Sequence, residues 1–414
     1  MARDQGPLPK KPELDVILLT GTDLAHGRGD STHLIHLHRN LSDLAPTTLV
    51  HRGAFGLVGG PIESGGEFGS LGNILRTAAY HLVLCLWLAI HPTKSSVVYC
   101  HDWSVALVAS FMRHIRRFKV VYELNGLVSS QMPLVSDKGL TDFFSKLQLL
   151  AIKKADGVTA VTDRLADTVR SSEGFEHLSI TVITNAGDAG PPPISKAAAR
   201  QKLALPLSTK IVGFVGSLTR WQGVDLLLQS FRIVASQCPD CELIVVGEGS
   251  ERQSLEEETR RLGLPSLVRF TGHVDHQTAL MYIGAFDVGV VPYRYKNLYE
   301  KIGRSPIKAY EYMAGERPFV CGAFPGLREE VVRAGCGLVV QPDDKSALAG
   351  ALLTVLQNPE QARQMGEAGR IYVSREKSWR TVASRVMNKC LEVMGKLDDP
   401  RETDIAGFPI QRRT

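Results

Sequence analysis

The segment SPIKAYEYMAGERP, which begins at Ser305, combines helix signals with a lysine and a glutamate. Ser305 is suited to cap a helix, Pro306 to its first position and Gly315 to its end, so we expect a helix over 306–314. The start of such a helix attracts phosphate, because its free N–H groups and its dipole favour an anion. Lys308 in the first turn opposes that dipole, so its placement is easier to explain with a bound anion; the alternative is a solvated lysine.

Glu311 in the same segment is placed to meet a ribose. It lies six residues beyond Ser305, hence roughly 9 Å further along the helix axis, which is about the distance from a diphosphate to its ribose. A carboxylate there can accept hydrogen bonds from both ribose hydroxyls, as an acidic residue does in Rossmann domains. The alternative is a glutamate on a solvated helix face.

Two further segments place glycines after strand-like runs. In GFVGSLTRWQG, Gly216 and Ser217 form a turn that lets the backbone approach a phosphate. In VGEGSER, Gly247 and Gly249 form part of a glycine-rich loop, although a simple β-turn explains them equally well. A departing diphosphate needs stabilising positive charge, and Arg220 is the nearby cation besides the lysine above; its alternative is an ordinary surface position.

Polar residues also follow strand-like runs in the first half of the chain. His101 follows SVVYC, while Glu123 and Asn125 belong to the end of KVVYELN, so all three are expected at a crevice where strands end. Asn125 can bond a hydroxyl but cannot act as a base near neutral pH. His101 and Glu123 are candidates to orient an acceptor, with purely structural roles as the alternative.

The loop after the first strand, TGTDLAHGRGDSTHLIHLHRNL, opens a helix near Gly29, with Asp30 or Ser31 as caps. Arg28 in this loop either contacts phosphate or acceptor, or points to water. His33, together with His36 and His38, invites a metal hypothesis, but no nearby carboxylate completes a convincing set of ligands, so no metal is expected.

Composition bounds what kind of protein these elements can build. The chain has 414 residues, 44% of them hydrophobic and 22% charged, which favours two globular domains and excludes wholesale disorder. A net charge of +5 without a long basic block gives no sign of a nucleic-acid partner. Seven scattered cysteines and an N-terminus without an apolar run predict reduced thiols and a cytoplasmic location.

The order of patterns predicts two α/β units. Short β-branched and aliphatic runs alternate with helical periods from residue 15 to about 188, and again from residue 211 to about 357. The proline-rich stretch 189–197 marks a linker between the two. Two successive doubly wound parallel sheets are therefore expected, with function at the loops where their strands end.

Five motifs occur in order in the second half: VGSLTRWQGVDLLLQSF, VGEGSERQSLE, VRFTGHV, VGVVPY and SPIKAYEYMAGERPFV. This succession resembles the retaining glycosyltransferases of family 4, in particular a branch with SPxKxxEYM, and the resemblance extends over about residues 15–395. It implies the GT-B fold, an α/β architecture in which two Rossmann-like domains face a central crevice and a C-terminal helix crosses back to the first domain. The expected parts are an acceptor-binding domain at 14–190, a nucleotide-sugar-binding domain at 198–380, the crossover helix at 381–396 and a disordered tail at 397–414.

The resemblance and the residue chemistry together assign the site. The residues expected to bind the donor are Gly29, Gly216, Ser217, Gly247, Gly249, His273, Val274, Ser305, Pro306, Ile307 and Glu311, with the backbone around His273 and Val274 meeting the base. Those expected to bind the acceptor are Arg28, His33 and Glu123, and the catalytic candidates are Arg220, Lys308, His101 and Asn125. Asn185 and Asp188 match a family turn near the domain junction, where their expected role is turn geometry.

This chain departs from the family pattern at the diphosphate and at the donor sugar. Ser217 and Gln222 stand where family members often have arginine and lysine, so Arg220 and Lys308 are expected to replace that pair. Gly303 stands where the first glutamate of a Glu-x7-Glu pair is usual.

The expected activity is transfer of a hexose or related sugar from a nucleotide-sugar donor to an acceptor hydroxyl with retained configuration, without a metal or other cofactor. Alternatives are a nucleotide-sugar epimerase or hydrolase, and a catalytically silent nucleotide-sugar-binding subunit. The acceptor is left open among sugars, natural products and lipid-linked compounds. The apolar helix at 77–91 and the basic RHIRRFK at 113–119 allow peripheral contact with the inner face of a membrane, but a buried core and solvated charge explain them equally well.

Overall fold

The computed structural model describes residues 14–22, 24, 29–56, 71–131, 138–188, 190, 193–294 and 302–396. Arg28, the N-terminal lead-in 1–13, the tail 397–414 and part of the 189–197 linker lie outside the described residues.

The first half folds into a six-stranded parallel sheet with strand order β2-β1-β3-β4-β5-β6. Its central strands are buried on both faces, which is why they read as continuous apolar runs. The strands are β1 Asp15–Leu19, β2 Thr47–Val50, β3 Ser96–Cys100, β4 Lys119–Leu124, β5 Gly157–Ala160 and β6 Ile180–Val182. The helices of this half are α1 Gly29–Leu44, α2 Leu71–Ile90, α3 Trp103–Arg116, α4 Val128–Gln131, α5 Lys138–Lys154 and α6 Asp163–Arg170, with a 3-10 turn at Arg52–Phe55.

The second half repeats this architecture with strand order β12-β11-β10-β7-β8-β9, again all parallel. Its strands are β7 Lys210–Val215, β8 Cys241–Val246, β9 Val268–Phe270, β10 Val288–Val291, β11 Phe319–Gly322 and β12 Gly337–Val340. Its helices are α7 Lys196–Lys202, α8 Val224–Gln237, α9 Arg252–Arg261, α10 His276–Ala285, α11 Ile307–Ala314, α12 Leu327–Ala334, α13 Lys345–Gln357 and α14 Pro359–Glu376, with a 3-10 turn at Arg220–Gln222. The two doubly wound sheets confirm the expected fold class.

The last helix of the described residues, α15 (Trp379–Val393), returns to the first sheet. Trp379, Val386 and Met387 are buried in one apolar cluster with Val16 and Leu18 of β1. Helix α15 therefore completes the core of the first domain.

The elements absent from the sequence-based expectation include β2 and α14. The edge strand β2 is short and three of its four residues are not fully buried, so TTLV carries no clear pattern. Helix α14 contains Gly366 and Gly369, which weaken a helix prediction. Both are needed for close packing, because a Cβ on Gly366 would lie 2.3 Å from the carbonyl oxygen of Glu316, and one on Gly369 would lie 3.1 Å from the Cβ of Cys336.

Two expected helix caps are wrong. Helix α11 begins at Ile307 with Pro306 in the cap position, and the Ser305 hydroxyl accepts the backbone N–H of Asn185 instead of capping the helix. Helix α1 begins at Gly29, so Asp30 and Ser31 lie inside its first turn instead of before it. All seven cysteines are free thiols. Within the described ranges no helix, α2 included, combines the length and apolarity that a bilayer crossing needs.

Candidate functional site

The strand order reverses beside β1 in the first sheet and beside β7 in the second, and the loops that follow the neighbouring strands are the expected ligand positions. In the first sheet the loops after β1 and β3 are joined by Asp102. Its carboxylate accepts the Thr20 hydroxyl at 2.7 Å and the Gly21 backbone N–H at 2.8 Å. The loop after β1, which leads to α1, is thus fixed against the loop after β3.

Next to this junction, Glu123 of β4 lies between two histidines. Its carboxylate is 3.0 Å from Nε2 of His33 and 3.1 Å from Nδ1 of His101, and all three side chains are less than a tenth exposed. Burial opposes ionisation of Glu123, but the charge and hydrogen bonds of both histidines hold its pKa well below the usual range. Burial also disfavours a charged His101, yet the bond and charge of Glu123 prevail and raise its pKa to about 9.

Asn185 connects this cluster to the second domain. Its amide nitrogen donates to the carbonyl oxygen of Ser305 at 2.7 Å, and its amide oxygen is 2.9 Å from Nδ1 of His33. Because a backbone carbonyl can only accept, the amide orientation is fixed and Nδ1 of His33 carries the hydrogen. The other ring nitrogen, Nε2 of His33, lies against the Glu123 carboxylate.

Polar contacts continue from Ser305 through α11 to the two segments in which the chain passes between the domains. The Ser305 and Tyr310 hydroxyls lie 3.0 Å apart, and Tyr310 donates to Glu330 at 2.7 Å. Lys377 forms an ion pair with Glu330 at 2.5 Å and donates to the Thr184 hydroxyl at 2.7 Å. Both crossings between the domains, near Thr184 and near Lys377, are thus tied to α11.

Lys308 on α11 is buried, with 8% of the residue exposed. Its ammonium donates to Oε1 of Gln222 at 2.7 Å and lies 3.9 Å from the centre of the Phe214 ring. Burial lowers its pKa well below the usual range, and neighbouring Arg304 lowers it further against the opposing charge of Glu311.

The glycine loops after β7 and β8 lie against this lysine and against each other. At Gly216 (φ +145°) a Cβ would lie 2.6 Å from Nζ of Lys308, and at Gly247 (φ +134°) a Cβ would lie 2.0 Å from the carbonyl oxygen of Gly216. A Cβ at Gly249 would lie 2.4 Å from the carbonyl oxygen of Leu218. Only glycine allows these backbones to approach so closely.

Glu311 accepts a hydrogen bond from Nε2 of His276 at 2.9 Å. This bond raises the pKa of His276 against the effect of its burial. The His276 ring lies 5.4 Å from that of His36 on α1, which in turn stacks on Trp379. Glu311 therefore lies where the second domain meets the first.

The starts of α1 and α11 meet at the same place. A Cβ on Gly29 would lie 3.9 Å from Cδ1 of Ile307, and the Ile307 side chain packs against the apolar cluster of the first domain. The N-terminal ends of these two helices, one from each domain, therefore lie next to each other. Their oriented N–H groups can bind an anion there.

The remaining sequence candidates lie in loops that follow strands of the two sheets. Asn125 is exposed and donates to the carbonyl oxygen of His101 at 3.2 Å. His273 is exposed and Val274 half-buried in the turn after β9, next to the start of α10. Arg220 is exposed in the 3-10 turn after β7, while Ser217 accepts a bond from the amide of Gln222.

Three features were not anticipated from the sequence. Arg304 stacks over Trp221 at 4.8 Å, and its charge lowers the pKa of Lys308. It was not predicted as a site residue, although it immediately precedes the motif that contains Lys308. His276 and Asn185 complete the contacts of Glu311 and His33. Their partners are 35 and 152 residues away, so no local spacing could indicate them.

The histidines also group differently from the set considered on α1. His33 joins His101 and Glu123, and potential ligand atoms of these three lie within 4.8 Å of one another, a spacing that could hold a metal ion. His36 instead approaches His276, and His38 lies 3.3 Å from the carbonyl oxygen of Thr47. A carboxylate from β4 thus lies beside His33, where the sequence showed none.

The chain is similar in sequence to known glycosyltransferases. Residues 195–372 match the family model described as "Glycosyl transferases group 1". A glycogen synthase of Mycobacterium tuberculosis is 26% identical over 291 residues, covering 70% of this chain and 67% of the relative. A D-inositol 3-phosphate glycosyltransferase of Corynebacterium urealyticum is 27% identical over 312 residues, covering 72% of this chain and 71% of the relative.

Solved structures share the fold over nearly the whole chain. A sucrose-phosphate synthase from Thermosynechococcus elongatus superposes with a TM-score of 0.76 at 20% identity, covering 93% of this chain and all of the other. Anabaena HepE in complex with UDP and glucose superposes with a TM-score of 0.65 at 18% identity, covering 92% and 99%. The chain therefore has the GT-B fold, and residues 195–372 in its second half match the glycosyl transferases group 1 model.

Proposed function

We propose that this protein transfers a sugar from a nucleotide-sugar donor to an acceptor hydroxyl, with retention of the anomeric configuration. The observation that carries the proposal is the arrangement of α11, where a buried lysine and a carboxylate follow a helix N-terminus that faces the start of α1. Helix α11 itself lies inside the segment matched by the family model. Relatives described as glycogen synthase and inositol phosphate glycosyltransferase, and a GT-B neighbour that holds UDP and glucose, support the same chemistry.

In this proposal the donor diphosphate binds at the start of α11, beside Gly216 and Ser217. Lys308 and Arg304 supply positive charge to the diphosphate, and exposed Arg220 in the 3-10 turn supplies more. Glu311 accepts the ribose hydroxyls, and one of its oxygens is already positioned by His276. The residues that complete the proposed donor site are Gly29, Gly247, Gly249, His273, Val274, Ser305, Pro306 and Ile307.

The acceptor side is formed by the first domain. Asn125 bonds a hydroxyl of the transferred sugar, and His101, held by Glu123 and His33, orients the acceptor. In the proposed step, the acceptor oxygen forms the bond to the anomeric carbon on the face from which the diphosphate leaves. The acceptor proton passes to the departing phosphate oxygen, so the protein supplies no base and no metal, and the cations on α11 and its neighbours stabilise the charge that develops.

The decisive experiment incubates the purified chain with labelled UDP-, GDP- and ADP-sugars, with and without a panel of acceptors. Nucleotide release that requires an acceptor, with the product retaining the donor's anomeric configuration by NMR, supports the proposal. Acceptor-independent conversion would indicate an epimerase or hydrolase, and saturable binding without turnover a silent subunit; either result contradicts transfer. EDTA should leave the rate unchanged, because the proposed step uses no metal.

The ribose contact gives a residue-level test. Glu311→Ala should weaken binding of the nucleoside diphosphate about 10- to 100-fold, since two hydrogen bonds to a charged acceptor are lost. Isothermal titration calorimetry measures the affinity, and Glu367→Ala, which removes an exposed glutamate of α14, is the control. Unchanged affinity in Glu311→Ala would rule out the ribose assignment.

A further inference from the structure

The outer face of the first domain concentrates the exposed apolar side chains of the protein. Among the described residues, twelve large apolar side chains are exposed, and eight of them lie on three helices, α2, α3 and α5. These eight are Leu75, Leu82, Leu86, Ile90, Phe111, Ile115, Leu140 and Phe143. The helices are neighbours, with α3 packed between α2 and α5. Exposed apolar side chains scattered singly need no explanation, but a concentration of this kind marks an interaction surface.

Helix α2 shows the pattern most clearly, because it has two apolar stripes. Tyr80, Leu84 and Leu88 are buried against the first sheet and have at most 1% of their surface exposed. Leu82, Leu86 and Ile90 repeat with the same four-residue spacing on another face and are 61–65% exposed. The first stripe accounts for the packing of α2 on the domain, so the second requires a different partner.

The same three helices carry most of the protein's excess positive charge. Residues 71–94, 103–119 and 138–156, which contain these helices and the turns after them, hold ten lysines and arginines against two aspartates. The whole chain has a net charge of only +5, so the remaining residues together are net negative. One of the two aspartates, Asp156, is itself bound by Arg113 and Lys119. The exposed apolar stripe of α2 thus belongs to a part of the protein with a large excess of positive charge.

We propose that α2, α3 and α5 form a docking face that binds the surface of an anionic lipid bilayer. The apolar side chains would enter the boundary between headgroups and acyl chains, while the basic side chains reach back to lipid phosphates. The helices would lie on the bilayer, in keeping with the lack of any described helix suited to cross one.

Charge decides between a bilayer and a second copy of the chain. A symmetric dimer through this face would bring the same patch of each copy together, and two patches with a large excess of positive charge repel. An anionic bilayer offers opposite charge together with an apolar interior. An anionic bilayer therefore matches both the exposed apolar side chains and the basic residues of this face.

The test measures binding of the full chain to sedimenting vesicles, without nucleotide sugar or acceptor, so its result does not depend on the transfer reaction. One set contains phosphatidylcholine alone and the other adds phosphatidylglycerol. We expect at least tenfold tighter binding to the anionic vesicles and loss of most of that difference at high salt. Equal or no binding to both sets would overturn the proposal.

Two variants separate the apolar and basic contributions. Leu82→Ser/Leu86→Ser/Ile90→Ser should weaken vesicle binding at least tenfold, whereas Val332→Ser/Ile371→Ser, which changes exposed apolar residues of α12 and α14, should not. Lys153→Glu/Lys154→Glu should weaken binding to anionic vesicles, with Lys345→Glu as the control. All these positions are exposed, so unfolding curves should match those of the parent chain.

Sedimentation velocity without lipid tests whether a second copy of the chain covers this face instead of a bilayer. The proposal predicts the same sedimentation coefficient for the parent chain and the triple α2 variant. A parent dimer that the triple variant converts to a monomer would show that a second copy covers this face and would overturn the lipid assignment. Vesicle binding that the triple variant retains in full would overturn it as well.

Discussion

Lys308 occupies an environment that normally disfavours a charged amine. Burial, together with Arg304, lowers its pKa well below the usual range, although an amide oxygen and an aromatic face both favour its charged form. A diphosphate at the start of α11 would bring negative charge to this amine and favour its protonated form. Binding of the donor and binding of a proton at Lys308 are therefore expected to be coupled.

The coupling predicts how donor affinity depends on pH. Where the free protein holds Lys308 neutral and the complex holds it charged, binding takes up a proton, so affinity falls as pH rises. Calorimetry between pH 7.5 and about 9.5, where the second phosphate ionisation (pKa about 6) is complete, should show this fall with the nucleoside diphosphate. Lys308→Met should weaken binding about 10- to 100-fold and remove the pH dependence.

The matched control is Lys345→Met, which changes an exposed lysine in the first turn of α13. It should leave both the affinity and its pH dependence unchanged. A pH dependence that persists in Lys308→Met would assign the coupled proton to another group.

At the scale of elements, the chain passes between the domains along the face of α11. Gly187 forms a bridge with Ser378, and its backbone N–H donates to the carbonyl oxygen of Lys377. Asn185 and Thr184, just before it, bond Ser305 and Lys377. The two crossings and the start of the helix proposed to bind phosphate are therefore held against one another.

The close packing at Gly187 makes this arrangement testable. A Cβ there would lie 2.5 Å from the carbonyl oxygen of Tyr310, so Gly187→Ala must displace the crossing from α11. We expect a loss of about 1–3 kcal/mol in the free energy of unfolding, from urea titration. The transfer rate should fall at least about 10-fold because the starts of α1 and α11 lose their alignment.

The control substitution is the same change where space is available. Gly350 lies on the exposed side of α13, and a Cβ added there would meet no atom within 4 Å. Gly350→Ala should therefore stabilise the chain by about 0.5–1 kcal/mol and leave the rate unchanged. If Gly187→Ala behaves like Gly350→Ala, the crossing is free to shift and the alignment does not depend on it.

At the scale of the whole molecule, the first domain is completed by residues that follow the second domain in sequence. Trp379 begins α15, is 3% exposed, and contacts the His33 and His36 rings of α1 at 5.3 and 5.4 Å. The first domain therefore cannot complete its core until the last helix has been added, and unfolding of α15 exposes the face of β1 and α1 that it covers.

This dependence predicts a large effect of one distant side chain. Trp379→Ala should lower the free energy of unfolding by about 3–5 kcal/mol, because a buried aromatic ring is replaced by a cavity. Hydrogen exchange should show the loss of protection in β1 and α1, although neither is near residue 379 in sequence. Trp87→Ala, at a partly buried ring of α2, should have a smaller effect; equal effects would mean that α15 is not needed for the first core.

Sequence patterns alone determined the two α/β units, because a strand buried in a parallel sheet reads as an apolar run and a covering helix as a 3.6-residue period. They also identified the segment that contains α11, since helix start, lysine and glutamate all lie within seven residues. Local signals of this kind require no knowledge of distant contacts.

The tertiary structure decided what those residues touch. It placed Glu123 between His33 and His101, gave Glu311 the partner His276, and used Ser305 to hold Asn185 instead of capping a helix. It also showed that α2 exposes a second apolar stripe, which its composition could not distinguish from a buried helix. Periodicity specifies which element forms, but partners tens to hundreds of residues apart are chosen only when two sheets and their crossings pack together.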